Sequence, residues 1–188
     1  MVYLVRHGET TWSLTGQHTG LTDLPLTPRG APNARSLAER LRGLSFASAV
    51  TSPLQRAART SDLAGFGAVA EVDRDLVDWD YGQEGLRSTE ILADRPDWEL
   101  FRDGCPGGES PEQVAARADR VIERISCHHG RHPAVFQRAL QSCHSRPLAG
   151  VGTGLGGLST ANLSALSYEH RFAHPVIRLW NDDHHVAA

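Results

Sequence analysis

Arginine and histidine stand side by side at residues 6 and 7, directly after four apolar residues, in the run VYLVRHGETTW. A cation beside an imidazole, followed by glycine, a carboxylate and two hydroxyls, suits the capture of a phosphate and an attack upon it. Guanidinium forks match pairs of phosphate oxygens. An imidazole held among them can act as a nucleophile, because covalent catalysis splits one hard displacement into two easier ones. A second group of the same kind lies at Thr51-Ser52-Pro53-Leu54-Gln55-Arg56, which brings hydroxyls and another arginine. The pairing of Arg6 with Arg56, around His7 and the Gly8 turn, makes a cradle for a dianion. An ordinary polar strand end is the alternative for Arg6 and His7.

These groups need elements to carry them. Short apolar runs predict strands over 1–5, 46–52, 68–72, 163–168 and 176–180. Apolar spacing near 3.6 predicts a helix over 34–44, residues 55–63 also read as helix, and a Ser-Pro-Glu-Gln start predicts another over 110–125. Residues 14–30, LTGQHTGLTDLPLTPRG, are rich in Gly, Pro and Thr and read as loop. Strand and helix in alternation predict an α/β fold, with a mostly parallel sheet covered by helices. In such sheets ligands gather beyond the carboxyl ends of strands, which is where Arg6-His7 and Thr51–Arg56 fall. Residues 78–110 make an excursion over that end.

Bulk properties narrow the partners. The 188 residues, 40% hydrophobic, suit one domain over 1–188 with a sizeable core. A net charge of −3 gives no general attraction to nucleic acid or to an anionic membrane. All 19 basic residues are Arg. No apolar run approaches a membrane span, and VYLVRHG is too short for a signal core, so a cytoplasmic location is expected. Three cysteines without CxxC spacing indicate neither a disulfide framework nor a zinc knuckle.

Several motifs occur together in one order: VRHGETTWS, GLTDLPLTPRG, TSPLQRAARTS, VDWDYGQEGL, GGES, LSALSYEHR and VIRLWND. In them the chain resembles the histidine phosphatase superfamily, in its phosphoglycerate mutase-like, acid phosphatase-like branch. The resemblance implies a three-layer α/β/α fold and a phosphohistidine at His7, with Arg6 and Arg56 clamping the phosphate. It implies a carboxylic acid that protonates the leaving oxygen, and Asp78 stands at the matching position, where many members carry Glu. Asp80 and Glu84 are rivals on the same segment, and Glu84 is also a substrate-binding candidate. Asp is one methylene shorter than Glu, so the loop bearing Asp78 has to sit closer to the phosphate. Ser13 stands where the family often has Asn, and Thr19 and Gly20 fall where it contacts substrate. A plain turn is the other role for those two. Trp12 and Trp79 either wall a pocket or pack in the core. The activity implied is hydrolysis of small phosphorylated metabolites without cofactor or metal, with mutase chemistry as the alternative and a homodimer as a possible assembly.

One stretch departs from the pattern. The family places a second histidine just after a buried strand that follows the 110–125 helix; the resemblance puts that strand at 133–136 and the histidine near Gln137, within CHHGRHPAVFQRALQSCHSRPLAG. His129 lies before that strand and His144 beyond it. Three readings follow: a neighbouring histidine completes the pocket, the site is degraded to phosphate binding, or the reading frame slips. Permitted codons for Arg138-Ala139-Leu140, read one base later, can spell Gly-His-Phe, as some relatives have. Zinc on His128, His129 and His132 is the weaker fit, because adjacent histidines point apart and no carboxylate supports them.

Overall fold

Apolar runs too short for helices become six strands in one sheet, in a computed structural model that describes residues 1–82, 86–126, 132–136, 158–169 and 174–186. They are β1 (Val2–Val5), β2 (Phe46–Thr51), β3 (Ala70–Val72), β4 (His132–Phe136), β5 (Leu163–Glu169) and β6 (His174–Asp182). Their order is β3-β2-β4-β1-β5-β6. β1 through β4 pair in parallel, whereas β5 lies antiparallel to β1 and β6 antiparallel to β5. The mostly parallel α/β fold expected from the sequence is present.

Successive strand residues face opposite sides of the sheet, and each side buries its own core. Leu4, Val50 and Leu166 meet Leu76 and the apolar stripe Ala118, Val121 and Ile125 of α6 (Pro111–Ser126). On the other side Val5, Ala49 and Leu163 meet Leu37 of α2 (Gly30–Arg40), the following Leu41, and Ala64 just beyond α3 (Gln55–Leu63). Helices therefore cover both faces, which makes three layers. Each fully buried Leu or Val contributes about 1.5–3 kcal/mol of transfer free energy.

Helix α3 matches its predicted bounds and α6 shifts by one residue. Ser110 and Gln113 exchange hydrogen bonds at the start of α6: the Ser110 N–H donates to Gln113 Oε1 and the Gln113 N–H to Ser110 Oγ. Two departures fall on the predicted 14–30 loop. α1 (Thr11–Thr15) forms because Thr10 and Ser13 make a reciprocal capping box, and Gly16 ends it in the left-handed region. α2 begins at Gly30 rather than residue 34, because the Thr27 hydroxyl accepts the Gly30 N–H and Pro32 fits a first helical turn. The excursion carries α4 (Ser88–Asp94) and α5 (Leu100–Asp103) around a small core of Trp79, Tyr81 and Val114. It docks on the loop after α1, where His18 N–H donates to Leu86 O (2.9 Å) and Arg87 Nε to Thr15 O (2.8 Å). Among the described residues no helix is long and apolar enough to cross a membrane.

Candidate active site

The parallel register brings the carboxyl ends of β1 and β2 to one edge of the sheet, two strands apart with β4 between them. Arg6 and His7 leave β1 there, and Arg56 enters from the first turn of α3. All three are buried, with Arg56 fully enclosed.

His7 Nδ1 lies 2.7 Å from the Gly8 carbonyl oxygen. A carbonyl only accepts, so in the neutral ring Nδ1 carries the proton and Nε2 keeps its lone pair. Burial, reinforced by the charges of Arg6 and then Arg56, pulls the imidazole down from 6.5 to about 3, against the Gly8 hydrogen bond and Asp78. The ring is therefore neutral at physiological pH.

The Arg56 guanidinium is held from two sides. Nη1 donates to Thr22 O at 2.9 Å, and Nη2 donates to Gly20 O at 2.8 Å and to Asp78 Oδ2 at 3.3 Å. Its Nε makes no hydrogen bond among the described residues. Arg6 Nη1 donates to the Leu158 carbonyl. Backbone oxygens thus take part in anchoring both arginines, with the Asp78 carboxylate added at Arg56.

Asp78 is buried on the loop after a 3-10 turn at Arg74–Leu76. Its Oδ1 accepts the Trp79 N–H (2.9 Å) while Oδ2 faces Arg56. The rival Asp80 uses Oδ1 to accept the Gly82 N–H (2.8 Å), a turn role. Of the two described carboxylates, Asp78 and Asp80, Asp78 is the one placed against Arg56. Glu84, like His128, His129, His144 and Gln137, lies outside the described residues. Of His132 the backbone alone is described.

The candidates for substrate contact divide. Gly20 has φ 54°, in the left-handed region, and its carbonyl positions Arg56. Thr19 is buried, and its carbonyl accepts the Thr22 N–H. Ser13 Oγ accepts the Thr10 N–H (2.8 Å) and donates to Thr10 O (2.9 Å), so its hydroxyl serves the α1 cap. Ser13 also lines a cavity of about 490 Å³ with Arg6, Glu9, Arg29, Ser159 and Asp183. Trp79 packs in the excursion core and donates Nε1–H to Glu109 O (3.0 Å).

Three supports were not read from the sequence. Thr60, on α3, accepts the Gly8 N–H (2.9 Å) and donates to Arg56 O (2.7 Å), joining nucleophile and clamp. Gly8 and Gly30 let two backbones touch: a Cβ on Gly8 would lie 2.7 Å from Gly30 O, and one on Gly30 2.3 Å from Glu9 O. Arg117 and Glu109 brace the Asp78 loop. A Thr one helical turn after Arg56 was the available signal for the first, whereas the other two depend on tertiary approach.

Comparison with known proteins identifies the family and the fold. The family model for the histidine phosphatase superfamily (branch 1) matches residues 2–183. An acid phosphatase of Mycobacterium tuberculosis is 42% identical over 137 residues, covering 71% of this chain and 66% of that protein, just under two thirds of its length. A probable phosphoglycerate mutase of Proteus mirabilis is 32% identical over 184 residues, covering 90% of this chain and 78% of the relative. A solved structure of a Mycobacterium tuberculosis open reading frame product superposes with a TM-score of 0.83 at 33% identity, covering 96% of both chains. The chain belongs to the histidine phosphatase superfamily, and its fold is the phosphoglycerate mutase-like one.

Proposed function

We propose that the protein is a phosphatase of small phosphomonoesters that works through a phosphohistidine on His7, with residues 1–188 acting as one catalytic domain. The observation that carries this reading is the neutral His7 ring, Nδ1 tied to Gly8 O, beside Arg6 and Arg56. The Nε2 lone pair attacks phosphorus, an N–P bond forms and the ester P–O bond breaks. Arg6 and Arg56 hold the charge on the transferring oxygens. Asp78 gives its proton to the leaving alkoxide and, as carboxylate, takes one from the water that cleaves the phosphohistidine. Ser13, Thr19, Gly20 and Glu84 are the candidates for contact with the ester group in this reading. The substrate is a small phosphorylated metabolite in a cytoplasmic setting. A homodimer belongs to the same reading: β6 ends the sheet with an outer edge that no described strand pairs.

Phosphoglycerate mutase-type transfer is the second reading, favoured by the 32% identical relative of that name. A phosphate-binding protein without efficient turnover is the third, favoured by Gln137 at the second histidine's place.

Hydrolysis of an aryl phosphate between about pH 4 and pH 8 tests the proposal. The parent is expected to turn over and to show phosphate on His7, and His7→Ala to lose activity by at least about a thousandfold. Inorganic phosphate bound with no turnover by either protein selects the binding reading. Phosphate passed to an added alcohol of the substrate, rather than to water, selects the mutase.

A further inference from the structure

A general acid is useful only if its proton meets the leaving oxygen, and Asp78 has one methylene less than Glu with which to reach it. Its backbone must therefore be held, and the structure shows what holds it. Arg117 projects from α6 and forms a two-armed ion pair with Glu109, Nε to Oε1 and Nη2 to Oε2, both at 2.7 Å. The same guanidinium donates to three carbonyls of the acid's own segment: Asp75 O at 2.7 Å and Val77 O at 3.1 Å from Nη1, and Asp78 O at 3.4 Å from Nη2.

Glu109 completes the grip from the other side. Its Oε2 accepts the Asp80 N–H at 3.0 Å, and its backbone N–H donates to Asp80 O at 2.8 Å. Burial works against its charge, yet the Arg117 hydrogen bonds and the Asp80 N–H hold its carboxyl below the ordinary glutamate value. Glycine permits the approach: a Cβ on Gly108 would lie 2.1 Å from Asp80 O. The loop is thus gripped at residues 75, 77, 78 and 80, and the Asp78 carboxyl emerges between those points toward Arg56.

We infer that Arg117 and Glu109 are positioning residues for the general acid, a fork and carboxylate pair that sets the reach of Asp78. The inference rests on the proposed role of Asp78. Both side chains are mostly enclosed, at 11% and 20% exposure. Neither touches His7, Arg6 or Arg56 in any described hydrogen bond, so a change in them acts on the nucleophile only through the loop.

Leaving groups separate positioning from plain stability. An alkyl phosphate needs its alkoxide protonated as the P–O bond breaks, whereas 4-nitrophenyl phosphate leaves as a stable phenolate. The parent, Arg117→Gln, Glu109→Gln and Asp78→Asn are assayed on both esters, with inorganic phosphate as a competitive inhibitor reporting the cradle. In kcat/KM, which is set by the step that breaks the ester bond and not by the phosphohistidine hydrolysis common to both esters, Asp78→Asn is expected to lose about a hundredfold or more on the alkyl ester. Arg117→Gln is expected to lose on the order of a hundredfold there, as misplacement by about an ångström does. Its loss on the aryl ester is expected to be at least about tenfold smaller, with phosphate affinity within about threefold of the parent. Glu109→Gln keeps the shape of the side chain and is expected to shift the ratio in the same direction.

Equal losses on both esters, or lost phosphate binding in both variants, overturn the inference and leave a structural role. If Asp78→Asn shows the ester-dependent loss and neither clamp variant does, the clamp fails while the acid stands. No ester dependence in Asp78→Asn, or no phosphohistidine on the parent, overturns the proposed function and this inference with it.

Discussion

At the scale of single residues, the site rests on a proton's location. His7 keeps its ring neutral because burial and two guanidinium groups oppose its charge, so acid has to overcome the fold itself. Folded His7 binds its proton near pH 3, whereas the ordinary value is 6.5. Between those values the unfolded chain holds a proton that the folded chain lacks. Stability present above pH 6.5 is therefore lost as the pH falls toward 3, by an amount on the order of a few kcal/mol. His7→Gln removes that titration. Urea unfolding across this range is expected to show a shallower decline for the variant, and parallel declines would contradict the account. Arg6, His7 and Arg56 stood out in the sequence as cations and an imidazole at two strand ends, and only the family resemblance separated a phosphate cradle from an ordinary polar strand end. The second histidine has no such anchor: its motif position is Gln137.

At the scale of elements, backbone contacts do much of the positioning. Gly8 lies against the start of α2, Thr60 of α3 takes the Gly8 N–H, and Gly20 gives its carbonyl to Arg56. A methyl group on Gly8 has nowhere to go, since Gly30 O is backbone and cannot rotate aside. Gly8→Ala is expected to destabilise the protein by about 1–3 kcal/mol and to weaken inorganic phosphate binding, read from urea midpoints and competitive inhibition. Sequence patterns located α3 and α6 well: α6 carries a long apolar stripe, whereas α3 is short and buries Arg56, Ala57, Thr60 and Ser61. They missed α1, whose five residues bury no side chain and hold together through the Thr10–Ser13 box. They started α2 late because its first turn is Gly-Ala-Pro, fixed by contact with Glu9 rather than by helix propensity. Arg117 reads in sequence as an ordinary charge on an amphipathic helix. Its grip on the Asp78 loop exists because α6 lies under that loop.

At the scale of the molecule, β1 carries the nucleophile between two cores. Leu4 is sealed against the α6 layer and Leu37 of α2 against the opposite face. Leu4→Ala and Leu37→Ala are each expected to cost about 2–5 kcal/mol. They share no partner across the sheet, so the double variant is expected to show nearly the sum, within about 0.5 kcal/mol in urea unfolding. A large shortfall would mean the two layers respond as one. The strand and helix alternation made this architecture legible, while the antiparallel turn of β5 and β6 depends on edge pairing that no single run of residues encodes. The pairing of β1 has an evolutionary corollary. Phe136, the last residue of β4, stands beside Val5, and the chain is back at the same strand by Ala161, whose N–H donates to His7 O at 3.0 Å. Both joints of the intervening span are thus fastened to the nucleophile's own strand. Drift at the second joint is therefore constrained by the cradle itself, since Leu158 O receives Arg6 and the Ala161 N–H meets His7 O.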